Sequence, residues 1–276
     1  MRAHPVRAGV YTITRLVDGI FKAPVSALMH PEGAGRIADL LGESADTIPM
    51  PVNGFLLEGP DGLSLVDVGC GTVWGDTYGS LRRALDVQGV EPGDINRIYL
   101  THLHGDHAYG LVDGESAYFP NAEVLVPASE LAFYTDAAAR AHVPEGRRGA
   151  FDVAARLLAT PGLRLRTIEP GNVAEELCCL ALPGHTPGHS GYRIGAGDWG
   201  LLLWGDVVHA EALQPQDPAL GFTFDLDPET ARESRRKALA LAAEEKLVIS
   251  GGHIDGFRLV MRDGEGYRLV PSSFLA

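Results

Sequence analysis

The sequence of 276 residues predicts an α/β fold, a four-layered αβ/βα sandwich in which two packed sheets carry helices on their outer faces. Three observations favour this fold class. Strand-like and helix-like segments follow one another along the chain. The second half, which starts near Leu163, has an outline similar to that of the first. The hydrophobic content of 45% is ample for a packed core.

Apolar runs bounded by Gly, Pro and Asp define the elements of the first half. Residues 52–68 predict a hairpin, because Gly59-Pro60-Asp61-Gly62 forms a turn between two such runs. The other predicted elements are a helix at 76–88 that ends at Gly89, a short strand at 97–101, and a strand followed by a helix within 123–140.

The second half is predicted to be richer in strands. A helix should begin after them, with Asp227 as its N-cap and Pro228 as its first residue. The predicted strands of this half are 163–168, 177–182, 191–195, 199–205 and, after the helix, 246–250.

We expect a single domain over residues 1–276, since no segment rich in Pro, Gly and Ser is long enough to divide the chain. Residues 1–50 are expected to be an N-terminal extension packed on this domain. Their apolar, turn-rich stretch at 20–29 could cover a pocket or mediate a homodimer. An N-terminal strand and loop packed on the core is the alternative.

Composition excludes several classes of partner. Lys and Arg total 23 against 36 Asp and Glu, a net charge of −13, which argues against nucleic acid. No apolar run approaches the roughly 20 residues of a membrane span, and residues 1–7 lead into no signal-peptide-like segment. The three cysteines predict no disulfide framework, and a cytoplasmic location is expected. The basic group at 232–237 is interpreted as a solvated helix face.

Four metal-binding side chains stand within six positions, in His102-Leu103-His104-Gly105-Asp106-His107. Three imidazoles and a carboxylate this close together are costly to bury unless a cation converts the crowding into coordination. The cluster follows the predicted strand at 97–101, and Gly105 interrupts regular structure. The sequence therefore predicts a metal site on a loop at a strand end.

Three further residues are candidate ligands, because each comes at a turn after an apolar run. They are His185, Asp206 and His253. Functional groups in layered α/β folds collect on loops at strand ends, so these residues are expected to complete one site. His189 and His209 are expected near the pocket and are not counted as ligands.

An HxHxDH motif followed by a lone His, a lone Asp and a final His resembles the metallo-β-lactamase superfamily and implies its fold. By that resemblance, His102, His104 and His185 would hold one metal ion. Asp106, His107 and His253 would hold the second, with Asp206 bridging both. Asp67, near the end of an early strand, would support the site by hydrogen bonding without ligating.

Three segments look most like the branch that holds methyl parathion hydrolase and quorum-quenching lactonases, namely 184–190, 204–209 and 224–228. Two positions depart from that pattern. Several acyl-homoserine lactonases carry Tyr where this chain has His209. The segment after His253 lacks the apolar-Pro continuation often found in the branch.

These features predict a binuclear hydrolase. Two divalent cations, zinc foremost and manganese, cobalt or iron as alternatives, would share a hydroxide that attacks small ester, lactone or organophosphate-like substrates. Asp106 is expected to orient the hydroxide and His209 to donate a hydrogen bond to a neutral or apolar substrate. The candidate apolar pocket residues, for each of which core packing is the alternative, are Phe21, Met29, Phe133, Phe222 and Phe224.

Two other classes of function stay open at this point. An iron-dependent oxidoreductase or dioxygenase is one, because His and Asp ligands also suit iron. A binding or sensor protein that keeps the metals without turnover is the other.

Overall fold

Two seven-stranded sheets form the centre of the molecule, in a computed structural model that describes residues 5–42, 46–195 and 200–272. The strands are β1 (Val6–Ala8), β2 (Tyr11–Pro24), β3 (Leu28–Met29), β4 (Thr47–Gly59), β5 (Gly62–Val66), β6 (Ile95–Tyr99), β7 (Val112–Asp113), β8 (Ser116–Ala117), β9 (Glu123–Pro127), β10 (Arg164–Ile168), β11 (Gly171–Ala174), β12 (Leu177–Ala181), β13 (Ser190–Ile194), β14 (Leu201–Leu203), β15 (Gly221–Phe222), β16 (Val248–Ser250), β17 (Arg258–Asp263) and β18 (Gly266–Pro271).

The helices are mostly short. They are α1 (Ala34–Leu41), α2 (Ser80–Gln88), α3 (Gly105–Ala108), α4 (Ala128–Thr135), α5 (Ala137–His142), α6 (Gly149–Ala159) and α7 (Pro228–Glu244). Single 3-10 turns occur at Val25–Ala27, Pro92–Asp94, Tyr109–Leu111 and Glu145–Arg147. No helix within the described ranges combines the length and apolar character that crossing a bilayer requires.

The first sheet has the strand order β1-β2-β4-β5-β6-β9-β10. Its first four strands pair antiparallel, whereas β5, β6, β9 and β10 run parallel, as in the pairing of Leu65 with Ile98. The strands β1 and β2 come from the predicted N-terminal extension and form one edge of this sheet. Residues 1–4 and 43–45 of that extension lie outside the described residues.

The second sheet has the order β11-β12-β13-β14-β16-β17-β18. Its pairs are antiparallel except for β14 and β16, in which Leu202 pairs with Ile249. In both sheets parallel strands meet in the middle, and in the first sheet they continue to the edge strand β10. The carboxyl ends of these strands open towards one edge of the sandwich.

The core is layered as the sequence predicts. Apolar side chains of both sheets interdigitate between them, including Phe55 and Leu57 of the first sheet and Tyr192 and Leu203 of the second. On the outer face of the first sheet, α2, α4 and α6 cover a second cluster. On the outer face of the second sheet, α7 packs through Leu239 and its neighbours. The predicted αβ/βα sandwich is confirmed.

Several predicted boundaries are correct, and the reasons are local. The hairpin turns between Gly59 and Gly62, and α2 ends at Gly89, whose φ of 77° suits a glycine after a helix. Asp227 caps α7 by accepting hydrogen bonds from the main-chain N–H groups of Glu229 and Thr230.

Other boundaries differ from the prediction. The helix predicted from 76 starts at Ser80, and the helical part of 123–140 is divided in two at Asp136, which caps α5. The strand predicted over 199–205 is observed as β14, with residue 199 outside the described residues. The helices α1 and α6 and the hairpin of β17 with β18 were not predicted, whereas β2 agrees with the alternative of an N-terminal strand packed on the core.

Candidate metal centre

The side chains predicted to bind metal lie on segments that leave the sheets at one shared edge. His102 follows β6 of the first sheet, and Asp206 follows β14 of the second. His185 and His253 follow β12 and β16 in the same way. All seven predicted ligands fall into groups whose nitrogen and oxygen atoms lie within 4.8 Å of one another. Residues from distant parts of the chain are thus brought to one place.

The end of the HxHxDH motif is helical, and the prediction of a loop throughout is wrong there. Asp106 and His107 lie in α3, whose turn is closed by a 3.1 Å hydrogen bond from the main-chain N–H of His107 to the carbonyl of His104. Gly105 begins this helix. A Cβ at Gly105 would lie 2.6 Å from the ring of Tyr109, so the glycine allows close packing.

His102, His104 and His185 form what we call the first position. His104 Nδ1 lies 3.0 Å from His102 Nε2 and 2.9 Å from His185 Nε2. Two nitrogens bound to one tetrahedral zinc at 2.0–2.1 Å would be about 3.3 Å apart. The spacing of the three nitrogens is therefore close to that of ligands to a single ion.

The tautomers of His102 and His185 are determined by their neighbours. Thr101 Oγ1 donates to Asp67 Oδ2 at 2.8 Å, so it acts as the acceptor for His102 Nδ1, 3.0 Å away. His185 Nδ1 lies 2.9 Å from Asp225 Oδ1, and an ionised carboxylate only accepts. Both rings carry their proton on Nδ1 and direct the Nε2 lone pair into the centre.

Asp106, His107 and His253 form the second position. His107 Nδ1 lies 2.8 Å from Asp67 Oδ2, and His253 Nδ1 lies 2.8 Å from the carbonyl oxygen of Pro51. Each Nε2 atom is 3.6 Å from Asp106 Oδ2. With a cation bound, these two rings would keep their proton on the outer nitrogen and present a lone pair inward.

Asp206 lies between the two positions. Its Oδ2 is 3.4 Å from His185 Nε2 and 3.2 Å from His253 Nε2, and its Oδ1 is 3.3 Å from His107 Nε2. The main-chain N–H of Asp206 donates to His189 Nε2 at 2.9 Å. The carboxylate occupies the place expected of a shared ligand, and His189 supports it from behind.

Asp67 takes the supporting place that the resemblance implies. Its Oδ2 accepts from Thr101 and His107, and its Oδ1 accepts from the main-chain N–H of Thr101 at 2.8 Å. Asp67 is buried and has a φ of 54°, a region that side chains other than glycine seldom adopt. This strained backbone aims one carboxylate at partners of both positions.

Protonation in the metal-free centre differs between the positions. Burial lowers the pKa of His104 to about 3 and that of His185 to about 4, which keeps both neutral and able to bind a cation. Burial also acts on His107, but nearby carboxylates hold its pKa well above the usual range. Against its own burial, Asp206 keeps a pKa well below the usual range because His107 and His253 are close.

The residues fit metal ions. Within the described part of the chain, His107 Nε2 and Asp206 Oδ1 are buried 3.3 Å apart, and neither has a partner with the geometry of a hydrogen bond. Buried polar atoms are normally paired, and inward lone pairs of several imidazoles beside two carboxylates need positive charge between them. Imidazole nitrogen and carboxylate oxygen are ligands of zinc and also of manganese, cobalt and iron.

The first position is supported by buried acidic and basic side chains that were not predicted from the sequence. Asp225, which holds His185, lies 3.5 Å from Arg235 Nη2. Arg235 is 1% exposed and donates to three main-chain carbonyls, so its assignment to a solvated helix face is wrong. Glu130 is fully buried and contacts the loops of His102 and His185. In the sequence, Asp225 was marked only by its place in the segment 224–228, just before the N-cap of α7.

Asn53 supports the loop of His253 through the main chain. Its Nδ2 donates to the carbonyls of Gly251 at 2.9 Å and Ile254 at 2.8 Å, and its own N–H donates to the carbonyl of Gly252 at 3.0 Å. Asn53 is fully buried in β4. The first sheet thereby fixes a ligand that the second sheet delivers.

A cavity of about 530 Å³ opens above the centre. The predicted ligands that line it are His104, Asp106, His185, Asp206 and His253. Its apolar and aromatic lining includes Phe21, Met50, Trp74, Tyr109, Ala150, Val153, Phe224 and Leu226. Arg147 also lines the wall and donates to the main-chain carbonyl of Phe224.

Two of the five predicted pocket residues line the cavity, and three do not. Phe21 and Phe224 line the cavity, with ring centroids 6.1 Å apart. Phe222 is buried against His209 at 5.2 Å and does not reach the cavity surface. Phe133 packs on other aromatic rings near α4, and Met29 is an exposed residue of β3, so both assignments are wrong.

His209 lies in the cavity wall. Its ring stacks on that of His253 with centroids 5.1 Å apart, and its main-chain N–H donates to Gln214 Oε1 at 2.7 Å. Among the described residues, neither ring nitrogen of His209 has a hydrogen-bond partner, although Nε2 is 3.3 Å from Asp206 Oδ2. The ring is held in place close to Asp206, and both of its nitrogens are buried.

Residues 47–253, well over half of the chain, match the family model of the metallo-beta-lactamase superfamily. The chain belongs to this superfamily. Two solved structures share its fold over nearly the whole length. Hydrolase AbOPH of the beta lactamase superfamily is 26% identical with a TM-score of 0.88, covering 98% of this chain and 97% of that one. AidC, a dizinc quorum-quenching lactonase in complex with a product, is 25% identical with a TM-score of 0.86, covering 99% and 98%.

A curated relative points to the same branch. The N-acyl homoserine lactonase AiiA of Bacillus thuringiensis subsp. kurstaki is 30% identical over 168 residues, which are 60% of this chain and 58% of the relative. The chain thus spans less than two thirds of that relative's length. The predicted superfamily and its lactonase-like branch are both confirmed.

Proposed function

We propose that the protein is a metal-dependent hydrolase that uses two divalent cations to cleave small neutral esters, lactones or organophosphate-like esters. One observation carries this proposal. Imidazoles whose neighbours fix the inward lone pair converge with two carboxylates beneath a largely apolar cavity. Such a site combines the ligands for metal ions with a binding surface for an uncharged substrate.

The bound ions, zinc foremost, would supply hydroxide from water at neutral pH and polarise the carbonyl or phosphoryl oxygen under attack. The protein's own groups position the reactants. Asp106 lines the cavity beside His107 and His253, where its carboxylate can accept a hydrogen bond from the attacking group. The apolar wall would exclude bulk water from the reacting atoms.

His209 is assigned the role of hydrogen-bond donor to the substrate. Its ring is buried in the wall, its main chain is held by Gln214, and its nitrogens have no partner among the described residues. A donor held near the cleaved bond stabilises charge that develops on oxygen. The ring of His209 also lies near Asp206. The effect of a His209 substitution on metal binding must therefore be measured separately from its effect on turnover.

Lactones form the first substrate class to test. AidC and AiiA are named as lactonases, and the cavity offers neutral surface to an uncharged ring. The net charge of −13 gives no long-range attraction to anionic substrates.

The test is hydrolysis of p-nitrophenyl acetate, a γ-lactone and a phosphotriester by the metal-loaded protein, with and without chelator. We expect chelator-sensitive turnover of at least one substrate. His209→Ala should lower kcat/KM by about 10²-fold with unchanged metal content. His142→Ala, at an exposed histidine of α5, serves as the matched control.

Inertness of the loaded protein across this panel would contradict the proposal. Oxygen uptake without hydrolysis would favour an iron-dependent oxidoreductase instead. Loss of metal in His209→Ala would make His209 a ligand and withdraw its role as donor.

A further inference from the structure

Glu130 is a buried carboxylate that the proposed reaction does not use. It lies in the first turn of α4, directly after β9, and its side chain is fully buried. The side chain makes no cap for its own helix. It reaches instead towards the two loops that carry the histidines of the first position.

Three donors converge on this carboxylate. The main-chain N–H of Leu103 donates to Oε1 at 2.9 Å. The hydroxyl of Thr186 and the N–H of Gly188 donate to Oε2 at 2.7 Å and 2.9 Å. Leu103 stands between His102 and His104, and Thr186 follows His185 directly.

The packing around Glu130 independently indicates a specialised contact. A Cβ added to Gly188 would lie 2.1 Å from the main-chain nitrogen of Glu130. Any side chain there would push the His185 loop away from α4, so glycine permits the approach.

Retaining a carboxyl group at this buried place is costly. Burial raises the pKa of Glu130 to about 7, although the hydrogen bonds from Thr186, Leu103 and Gly188 lower it. An apolar residue would fill the same volume without this cost, but it would leave two main-chain N–H groups and a hydroxyl without an acceptor.

We propose that Glu130 is the positioning residue of the first position, holding the His102–His104 loop and the His185 loop together so that their nitrogens meet at one ion. This inference rests on the ligand assignment of the proposed function. Among the described residues, no hydrogen bond joins Glu130 to the second position, whose histidines are supported by Asp67 and by the carbonyl of Pro51.

The decisive variant is Glu130→Gln. An amide has one acceptor oxygen, so its NH₂ group must face either Leu103 or the Thr186 and Gly188 pair, and one loop is released. Stepwise zinc dissociation constants from competition with a chromogenic chelator should show one site weakened by about 10- to 100-fold and the other unchanged. Elemental analysis after gel filtration should show close to one metal per chain.

Glu123→Gln is the matched control, because Glu123 stands on β9 in the same unit but is paired with Arg166 at the surface. It should retain both wild-type constants. If Glu130→Gln fails to fold, Thr186→Val decides the matter. It removes one of the three donors, and the same single site should weaken by a smaller factor.

Unchanged constants in Glu130→Gln, or equal weakening of both sites, would overturn the proposal for Glu130. Fewer than two sites in the wild-type protein would instead contradict the proposed function, whatever the variants do.

Discussion

His253 is supported by a different kind of contact from His102, His107 and His185, whose outer nitrogens lead to buried carboxylates, directly or through Thr101. His102 and His185 at the first position are held through buried polar groups, with Thr101 and Asp67 behind one ring and Asp225 behind the other. At the second position, His253 depends on main-chain atoms, namely the carbonyl of Pro51 and the loop that Asn53 holds.

The comparison distinguishes two ways to hold a histidine ring in place, through a buried charged side chain and through main-chain atoms. Buried ionised partners fix a ring strongly but leave an unpaired charge when one of them is removed. When the partner is a main-chain carbonyl, substituting a nearby side chain leaves no unpaired charge, and the loop can relax. Substitutions behind the first position should therefore affect both stability and metal binding, whereas those behind His253 should mainly affect binding.

The largest effect is expected where the two positions meet. Asp206→Asn removes the carboxylate that lies between them and leaves an amide opposite His107 and His253. Metal content should fall below one ion per chain, and kcat/KM on the best substrate should fall by about a thousandfold or more, since the ions supply both hydroxide and electrophile. Elemental analysis and steady-state kinetics measure both quantities.

Asp263→Asn, at an exposed residue of β17, is the control for this loss of one negative charge. Two ions and near-normal turnover in Asp206→Asn would show that the positions do not share this ligand.

A separate effect is expected behind the first position. Although burial opposes ionisation, His185 and Arg235 lower the pKa of Asp225 to about 2, so the residue is ionised at neutral pH. Asp225→Asn leaves Arg235 buried without its anion and should lower the free energy of unfolding by roughly 3 kcal/mol. It should also weaken one metal site by about 10- to 100-fold. Urea unfolding of the metal-free protein and stepwise metal titration separate the two effects.

The double variant Asp225→Asn with Arg235→Met should recover part of the stability but not the metal affinity. Unchanged stability in Asp225→Asn would mean that the main-chain carbonyls around Arg235 compensate its charge alone, and the contrast between the positions would be lost.

The smallest effect is expected behind His253. Asn53→Ala removes two hydrogen bonds to the main-chain carbonyls of Gly251 and Ile254. One metal site should weaken by about 10-fold, with a smaller change in unfolding free energy than in Asp225→Asn. Asn172→Ala, at an exposed residue of β11, is the matched control. A larger loss of stability than that of Asp225→Asn would reverse the comparison.

The residues that converge at the candidate metal centre were predictable from sequence because each follows an apolar run at a strand end. His185, Asp206 and His253 are isolated polar residues beside turns, and the dense HxHxDH motif indicates where they must converge. The fold class was predictable for a related reason, since the alternation of strand and helix patterns reflects burial in layers.

The supporting residues were not predictable, because their role depends on partners far along the chain. Glu130 meets Leu103 and Thr186 only after α4 packs on both loops. Arg235 sits in a run of charged residues that looks solvated, and its burial depends on carbonyls of the segment between Val207 and Leu220. Gly105 was interpreted as a break, but it begins α3, where a Cβ would also lie 3.1 Å from the ring of Trp74, a contact that depends on the tertiary fold.

Metal content per chain of the wild-type protein, purified without chelator, tests the central claim most directly. Elemental analysis should give close to two ions per chain, one for the first position and one for the second. Fewer than one ion, with no recovery after addition of zinc, manganese, cobalt or iron, would contradict the assignment of these residues as a binuclear centre.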